Sequence, residues 1–109
     1  MSTNAFLRLG NTVVFTAATS APTAVQATNL NLGATQYRII NSGTVVVFLG
    51  VADDAATAAN NAVVVSSSQY SIPLLPGTDE VLTFNANSYF TGITFSGTAV
   101  VYVTAGDGM

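Results

Sequence analysis

Hydrophobic residues recur along this chain with a period of two rather than 3.6. Val, Ile, Phe, Tyr and Thr fill short runs. Gly, Asn, Ser and Pro separate the runs at the spacing of a β-sandwich or barrel. The first run is Ala5–Leu9, closed by Gly10-Asn11, and the second is Thr12–Ala17. Pro22–Asn31 reads as a weaker strand, with Val25 and Leu30 as its large apolar residues. Thr35–Asn41 is a clear strand, with Tyr37 and Ile39 pointing one way and Gln36, Arg38 and Ile40 the other. Asn41-Ser42-Gly43 carries tight-turn chemistry. Thr35–Asn41 and Thr44–Val51 therefore make the best hairpin in the sequence. The unbroken apolar character of Thr44–Val51 predicts a central strand covered on both faces.

Asp53–Ala62 is the one helix-compatible stretch. It is alanine-rich but has no large apolar stripe, so a loop with at most a short helical turn is expected. Val63–Val65 resumes the β pattern. Gln69–Leu74 follows, where Pro73 argues for an edge strand or a strand end. Pro76-Gly77-Thr78-Asp79 is a turn. Glu80–Phe84 alternates, Asn85-Ala86-Asn87 turns, and Ser88–Phe95 places Tyr89, Thr91, Ile93 and Phe95 on one face. Gly92 within that run suggests a bulge. Ser96-Gly97 leads into Thr98–Thr104, with Val100 and Tyr102 opposite Val101 and Val103. The pattern gives one all-β domain over residues 1–109: an antiparallel, jelly-roll-like β-sandwich of eight to ten short strands. Residues 1–9 read as an N-terminal arm or an edge strand, and residues 105–109 as a flexible tail.

Charge changes the picture most. The chain carries two basic and five acidic side chains, 6% of its residues, against about a quarter in ordinary soluble domains. Little solubility comes from charge, so the surface is built from Thr, Ser, Asn, Gln and exposed apolar groups. Such a surface suits a subunit that meets other proteins over much of its area. Arg8 and Arg38 alone cannot neutralise a run of phosphates, which argues against nucleic acid and against an anionic membrane surface as partners. The apolar run Val45–Leu49, extended by Gly50-Val51-Ala52, is far shorter than the ~20 residues of a membrane helix. The N-terminus lacks the basic region and long apolar core of a signal peptide.

Candidate chemistry is sparse. The chain has no His, Cys, Lys or Trp, so the usual bases, thiol nucleophiles and zinc ligands are missing. Asp53-Asp54 and Asp79-Glu80 are adjacent pairs that would point to opposite sides of a strand, which suits turns and caps better than an acid–base dyad. Asp53, Asp54 and Asn60 do not match the spacing of a calcium loop. No catalytic residue, metal site or cofactor is expected. Tyr37, Tyr70, Tyr89 and Tyr102 fit either a sugar-stacking groove or a core and subunit interface. Arg8 and Arg38 are either solvated cations with covered stems or partners of a carboxylate on a neighbouring subunit.

One stretch of the sequence has a familiar texture. Tyr37-Arg38-Ile39-Ile40-Asn41-Ser42-Gly43-Thr44-Val45-Val46-Val47-Phe48 precedes an Ala-rich loop. Ile72-Pro73-Leu74-Leu75-Pro76-Gly77 and Glu80-Val81-Leu82-Thr83-Phe84 follow. The chain closes on Thr98–Thr104 and a Gly-acid-Gly tail. Over roughly residues 35–108 this resembles small structural proteins of tailed bacteriophages, above all minor capsid and head-decoration proteins. The resemblance implies a β-sandwich on the outside of an icosahedral head, made in the host cytoplasm and carried in the virion. It implies the major capsid protein as partner and no catalytic residues. Self-association is expected too, as a trimer rather than a dimer. The candidate interface residues are Phe6, Leu7, Arg8, Leu9 and Arg38, with Met1–Leu9 as an arm that engages the shell or a neighbouring subunit. The competing expectations are a receptor- or glycan-binding module of a tail fibre and a tail or head–tail connector component.

Overall fold

A computed structural model describes residues 7–27 and 36–107. They form eight strands and one helix: β1 (Leu7–Ala17), β2 (Val25–Gln26), β3 (Gln36–Asn41), β4 (Val47–Ala52), α1 (Ala55–Asn61), β5 (Ile72–Leu74), β6 (Asp79–Thr83), β7 (Tyr89–Thr94) and β8 (Ala99–Asp107). Two antiparallel four-stranded sheets face each other, in the orders β1-β8-β3-β6 and β2-β7-β4-β5. First pairs with last, second with seventh, third with sixth and fourth with fifth. The pairs β3·β8 and β4·β7 join these into sheets. This is the strand order of a jelly roll, as the alternating pattern predicts.

Period-two burial makes the core. Phe15, Tyr37, Ile39, Val101, Val103 and Ala105 point inward from the first sheet. Val47, Leu49, Leu74 and Phe90 meet them from the second. Tyr37 sits edge-on to Phe90, with ring centroids 4.9 Å apart, and Phe84 closes the cluster 5.9 Å from Phe90. Tyr37 is fully buried, yet its hydroxyl donates to the Asn85 carbonyl at 2.6 Å and accepts from the Ser88 amide at 3.3 Å. Among the described residues, every buried side-chain nitrogen and oxygen has a hydrogen-bond partner, as burial without penalty requires.

Several local expectations are corrected. The Thr35–Asn41/Thr44–Val51 hairpin does not form, because β3 and β4 lie in different sheets. Asn41-Ser42-Gly43 opens a crossover between sheets. Fully buried Asn41 donates from Nδ2 to the carbonyls of Val45 and Leu74, each at 3.0 Å, and accepts from the Gly43 amide at 3.0 Å. Gly43 serves a close approach: a Cβ there would lie 2.8 Å from Ala99 Cα. Gly10-Asn11 does not end a strand. It belongs to a bulge in β1, where Arg8 to Thr12 spans the two-residue step from Gly106 to Thr104. Gly92, by contrast, is no bulge. It pairs in register with Leu49, and a Cβ would lie 2.7 Å from Val47 Cγ1 and 3.0 Å from Phe15 Cε1.

Of the expected Pro22–Asn31 strand, the described part holds only Val25–Gln26 in strand, and residues 28–35 lie outside the described residues. Val63–Val65 is not a strand. Ala105, Gly106 and Asp107, expected in a tail, complete β8 between β1 and β3, while residues 108–109 lie outside the described residues. Asp53–Ala62 holds a packed helix rather than a loop. Small residues provide the contact: Ala58 is buried, and a Cβ on Gly50 would lie 2.7 Å from the Ala62 nitrogen and 2.8 Å from its Cβ. The helix needs no large apolar stripe because it sits directly on a glycine of β4. Pro73 does lie on an edge strand, since β5 ends its sheet.

Candidate protein interface

The inward half of the β1-β8-β3-β6 sheet builds the core, so its outward half is fixed by alternation. Strand register lays the outward residues in rows. One row runs Val14–Tyr102–Ile40–Asp79, and the next runs Thr12–Thr104–Arg38–Val81. A third runs Arg8–Gly106–Gln36–Thr83. Val14, Tyr102 and Val81 keep 50%, 41% and 47% of their surface exposed, and Ile40 and Val100 are half-buried beside them. Thr12 and Thr104 share a hydroxyl–hydroxyl bond of 2.7 Å. The result is an apolar and hydroxyl-bearing face on one side of the molecule.

Arg38, the cation in the middle of this face, is matched within the chain. Arg38 Nε donates to both carboxylate oxygens of Asp79 at 3.0 Å, and its Nη2 donates to Asp79 Oδ2. The hydrogen bond from Arg38 holds the Asp79 carboxyl below the usual range, against a smaller opposing effect of burial. The same hydrogen bond, with the carboxylate charge, pushes Arg38 up. Both groups are about half exposed, so the pair contributes little to stability. Its effect is to leave the face without an uncompensated charge at Arg38. Of the two readings of Arg38, a solvated cation or a partner of a carboxylate on a neighbouring subunit, neither describes it fully: it is half exposed and paired with Asp79 of its own chain.

Of the candidate interface residues, Arg8 and Arg38 come to the same outer face, two rungs of β3 apart through Gly106 and Gln36. Arg8 is exposed and its Nη1 donates to the Gly10 carbonyl at 2.9 Å. Leu7–Leu9 contribute backbone to β1, an edge strand among the described residues, while residues 1–6 of the expected N-terminal arm or edge strand lie outside them. Phe6 lies outside the described residues, as do the side chains of Leu7 and Leu9. Val14, Ile40 and Val81 were not singled out by sequence, and Tyr102 was named only as one of four tyrosines that fit a sugar groove, the core or a subunit interface. Their signal was present in β8, where Val100 and Tyr102 accompany Val101 and Val103. A strand apolar on both faces in a two-layer fold leaves one apolar face outward.

The other candidates do not converge. Tyr37 is in the core, Tyr102 is on the outer face just described, Tyr89 points outward from the opposite sheet and Tyr70 is exposed in the connection before β5. They line no common groove. Asp53 and Asp54 border a depression of about 360 Å³ with Thr57, Phe84 and Asn85. Asp54 accepts from the Thr57 amide at 2.8 Å and caps α1, which lowers its pKa. Asp53 accepts from Asn85 Nδ2 at 3.1 Å. Among the described residues no three His, Cys, Asp or Glu side chains gather to hold a metal ion, and no helix is long and apolar enough to cross a membrane. No protein-family model, curated protein or solved structure matches this chain.

Proposed function

We propose that this chain is a virion structural protein that decorates and stabilises a tailed-bacteriophage head by binding the assembled shell through the outer face of its β1-β8-β3-β6 sheet. The observation that carries this reading is the Val14–Tyr102–Ile40 row with the internally matched Arg38–Asp79 pair at its side. An apolar face with few unmatched charges is buried at low desolvation cost. Exposed apolar area of this kind marks a protein–protein contact. Jelly rolls serve in capsids, but also in lectins and cupins, so the strand order alone does not choose among them. The scattered tyrosines favour the shell over a sugar. A protein that binds the assembled shell and not its free subunits stabilises the shell by mass action.

The test uses heads of the phage that encodes the chain, prepared without it. Added protein should co-sediment with assembled heads, fail to bind free shell subunits, and raise the temperature at which heads break open. Absence of binding to heads, or binding to a glycan array instead, overturns the reading. A ring or tube of the purified protein in negative stain moves it to the connector.

A further inference from the structure

We infer that two copies of this chain pair antiparallel along their β1 edges about Val14, joining their first sheets into one eight-stranded sheet. The four edge strands differ sharply. β2 has two residues, β5 has three with Pro73 among them, and β6 carries Asp79 and Glu80. Shortness, proline and charge are the devices that keep sheet edges from pairing. β1 has eleven residues and is paired on one side only among the described residues. From Leu9 to Ala17 it has no charge and no proline, and its bulge ends at Thr12. Among the described residues, Thr12–Ala17 is thus the one edge segment left regular and unprotected.

The occupant is a second copy because this segment is symmetric about Val14. Pairing Val14 with its own mate sets Thr12 opposite Thr16 and Val13 opposite Phe15. Thr–Thr and aromatic–β-branched neighbours are both favourable cross-strand pairs, and no like charges meet. A two-fold interface requires such self-complementarity. The Val14–Tyr102–Ile40 row then runs unbroken across both copies. An isologous strand pair closes at two, so this edge builds a dimer and not the trimer the sequence suggested. The inference stands without the shell reading. Where that reading also holds, the shared sheet turns both shell-binding faces the same way and makes the dimer bivalent.

Light scattering at micromolar concentration should give twice the 11.1 kDa of the chain. The chain has no native cysteine, so single-cysteine variants report cleanly. Directly opposed residues have Cα atoms about 4.5–5.5 Å apart, within disulfide reach. Val14→Cys should therefore cross-link under mild oxidation. Tyr102→Cys should not, its mate lying three strand spacings, about 14 Å, away. Val14→Lys and Val14→Glu should each be folded monomers, and an equimolar mixture should recover the dimer. A wild-type monomer, a Val14→Cys protein that does not cross-link, a Tyr102→Cys protein that cross-links as readily, or a charge mixture that stays monomeric overturns the inference. Tyr102 cross-linking specifically would mean face-to-face packing.

Discussion

The side-chain amide of Asn41, on β3, donates to the carbonyl of Leu74, on β5, at 3.0 Å, and so joins a strand of one sheet to the edge strand of the other. The same amide holds the Val45 carbonyl, and Oδ1 takes the Gly43 amide. The main chain of Asn41 adds bonds to Thr78 and Gly77 in the β5–β6 turn. One buried side chain thus fixes the crossover that the hairpin pattern misread. Asn41→Leu keeps the volume and strands these partners. Each buried group left unpaired costs about 1–3 kcal/mol, so a loss of roughly 3 kcal/mol or more is expected in urea unfolding. A variant as stable as wild type would mean that water reaches the crossover.

Gly50 and α1 give a second expectation. A Cβ at Gly50 meets the backbone of α1, which cannot swing aside as a side-chain tip can. Gly50→Ala should cost about 1–3 kcal/mol by overpacking. Loss of helix signal in circular dichroism beyond the general loss of stability would show α1 peeling from β4. Gly77, with φ 70 and no atom near its Cβ position, should instead suffer through backbone strain alone.

These two sites show what the sequence made legible. Alternation in β3 and β8 gave the layers and the correct faces for Tyr37, Ile39 and Arg38, because period two is written in every strand. It could not tell hairpin from crossover at Asn41-Ser42-Gly43. Turn chemistry is local, whereas the partners of Asn41 lie as far away as Leu74. The packed helix was missed because its contact depends on Gly50 lying under Ala58 and Ala62, a pairing of small residues with no apolar stripe to announce it. The outer face was hidden for a related reason. Val14, Tyr102 and Ile40 belong to three separate runs, and only strand register sets them in one row.

Stability should be flat with pH across neutrality and fall in acid. There is no histidine to titrate between pH 5 and 8. The Asp79 and Asp54 carboxyls are lowered, the first by Arg38 and the second by the Thr57 amide at the start of α1. A carboxyl lowered in the folded state contributes stability that is full above its unfolded value, about 3.9, and is lost as pH falls through the folded value. Melting temperature should thus hold from pH 7 to about 5 and decline below about 4. Asp54→Asn keeps a capping side chain without a titrating one. It should flatten part of the acid decline. A rise in stability on acidification would reverse the sign and refute the assignment.

The salt dependence of the proposed shell contact follows from the Arg38–Asp79 pair. A contact made of apolar groups and hydroxyls, with its one central cation already matched, gains little from long-range attraction. Between low and high salt its affinity should change by less than about threefold, whereas contacts steered by charge fall steeply. Tyr102→Asp puts an unmatched charge in the middle of the row, and should weaken binding at least about tenfold, or 1.4 kcal/mol. Because Tyr102 is exposed, the melt should move little, by about 0.5 kcal/mol. Asp79→Asn is the more telling change. It removes the carboxylate, leaves Arg38 unmatched on the face, and should make binding depend on salt where the wild type does not. The direction of that dependence reports the charge of the surface opposite: affinity that falls with added salt means an acidic patch facing Arg38, and affinity that rises means a basic one. If wild-type binding is itself strongly salt-dependent, the contact is made elsewhere, and the face built on Val14, Tyr102 and Ile40 is not the one that meets the shell.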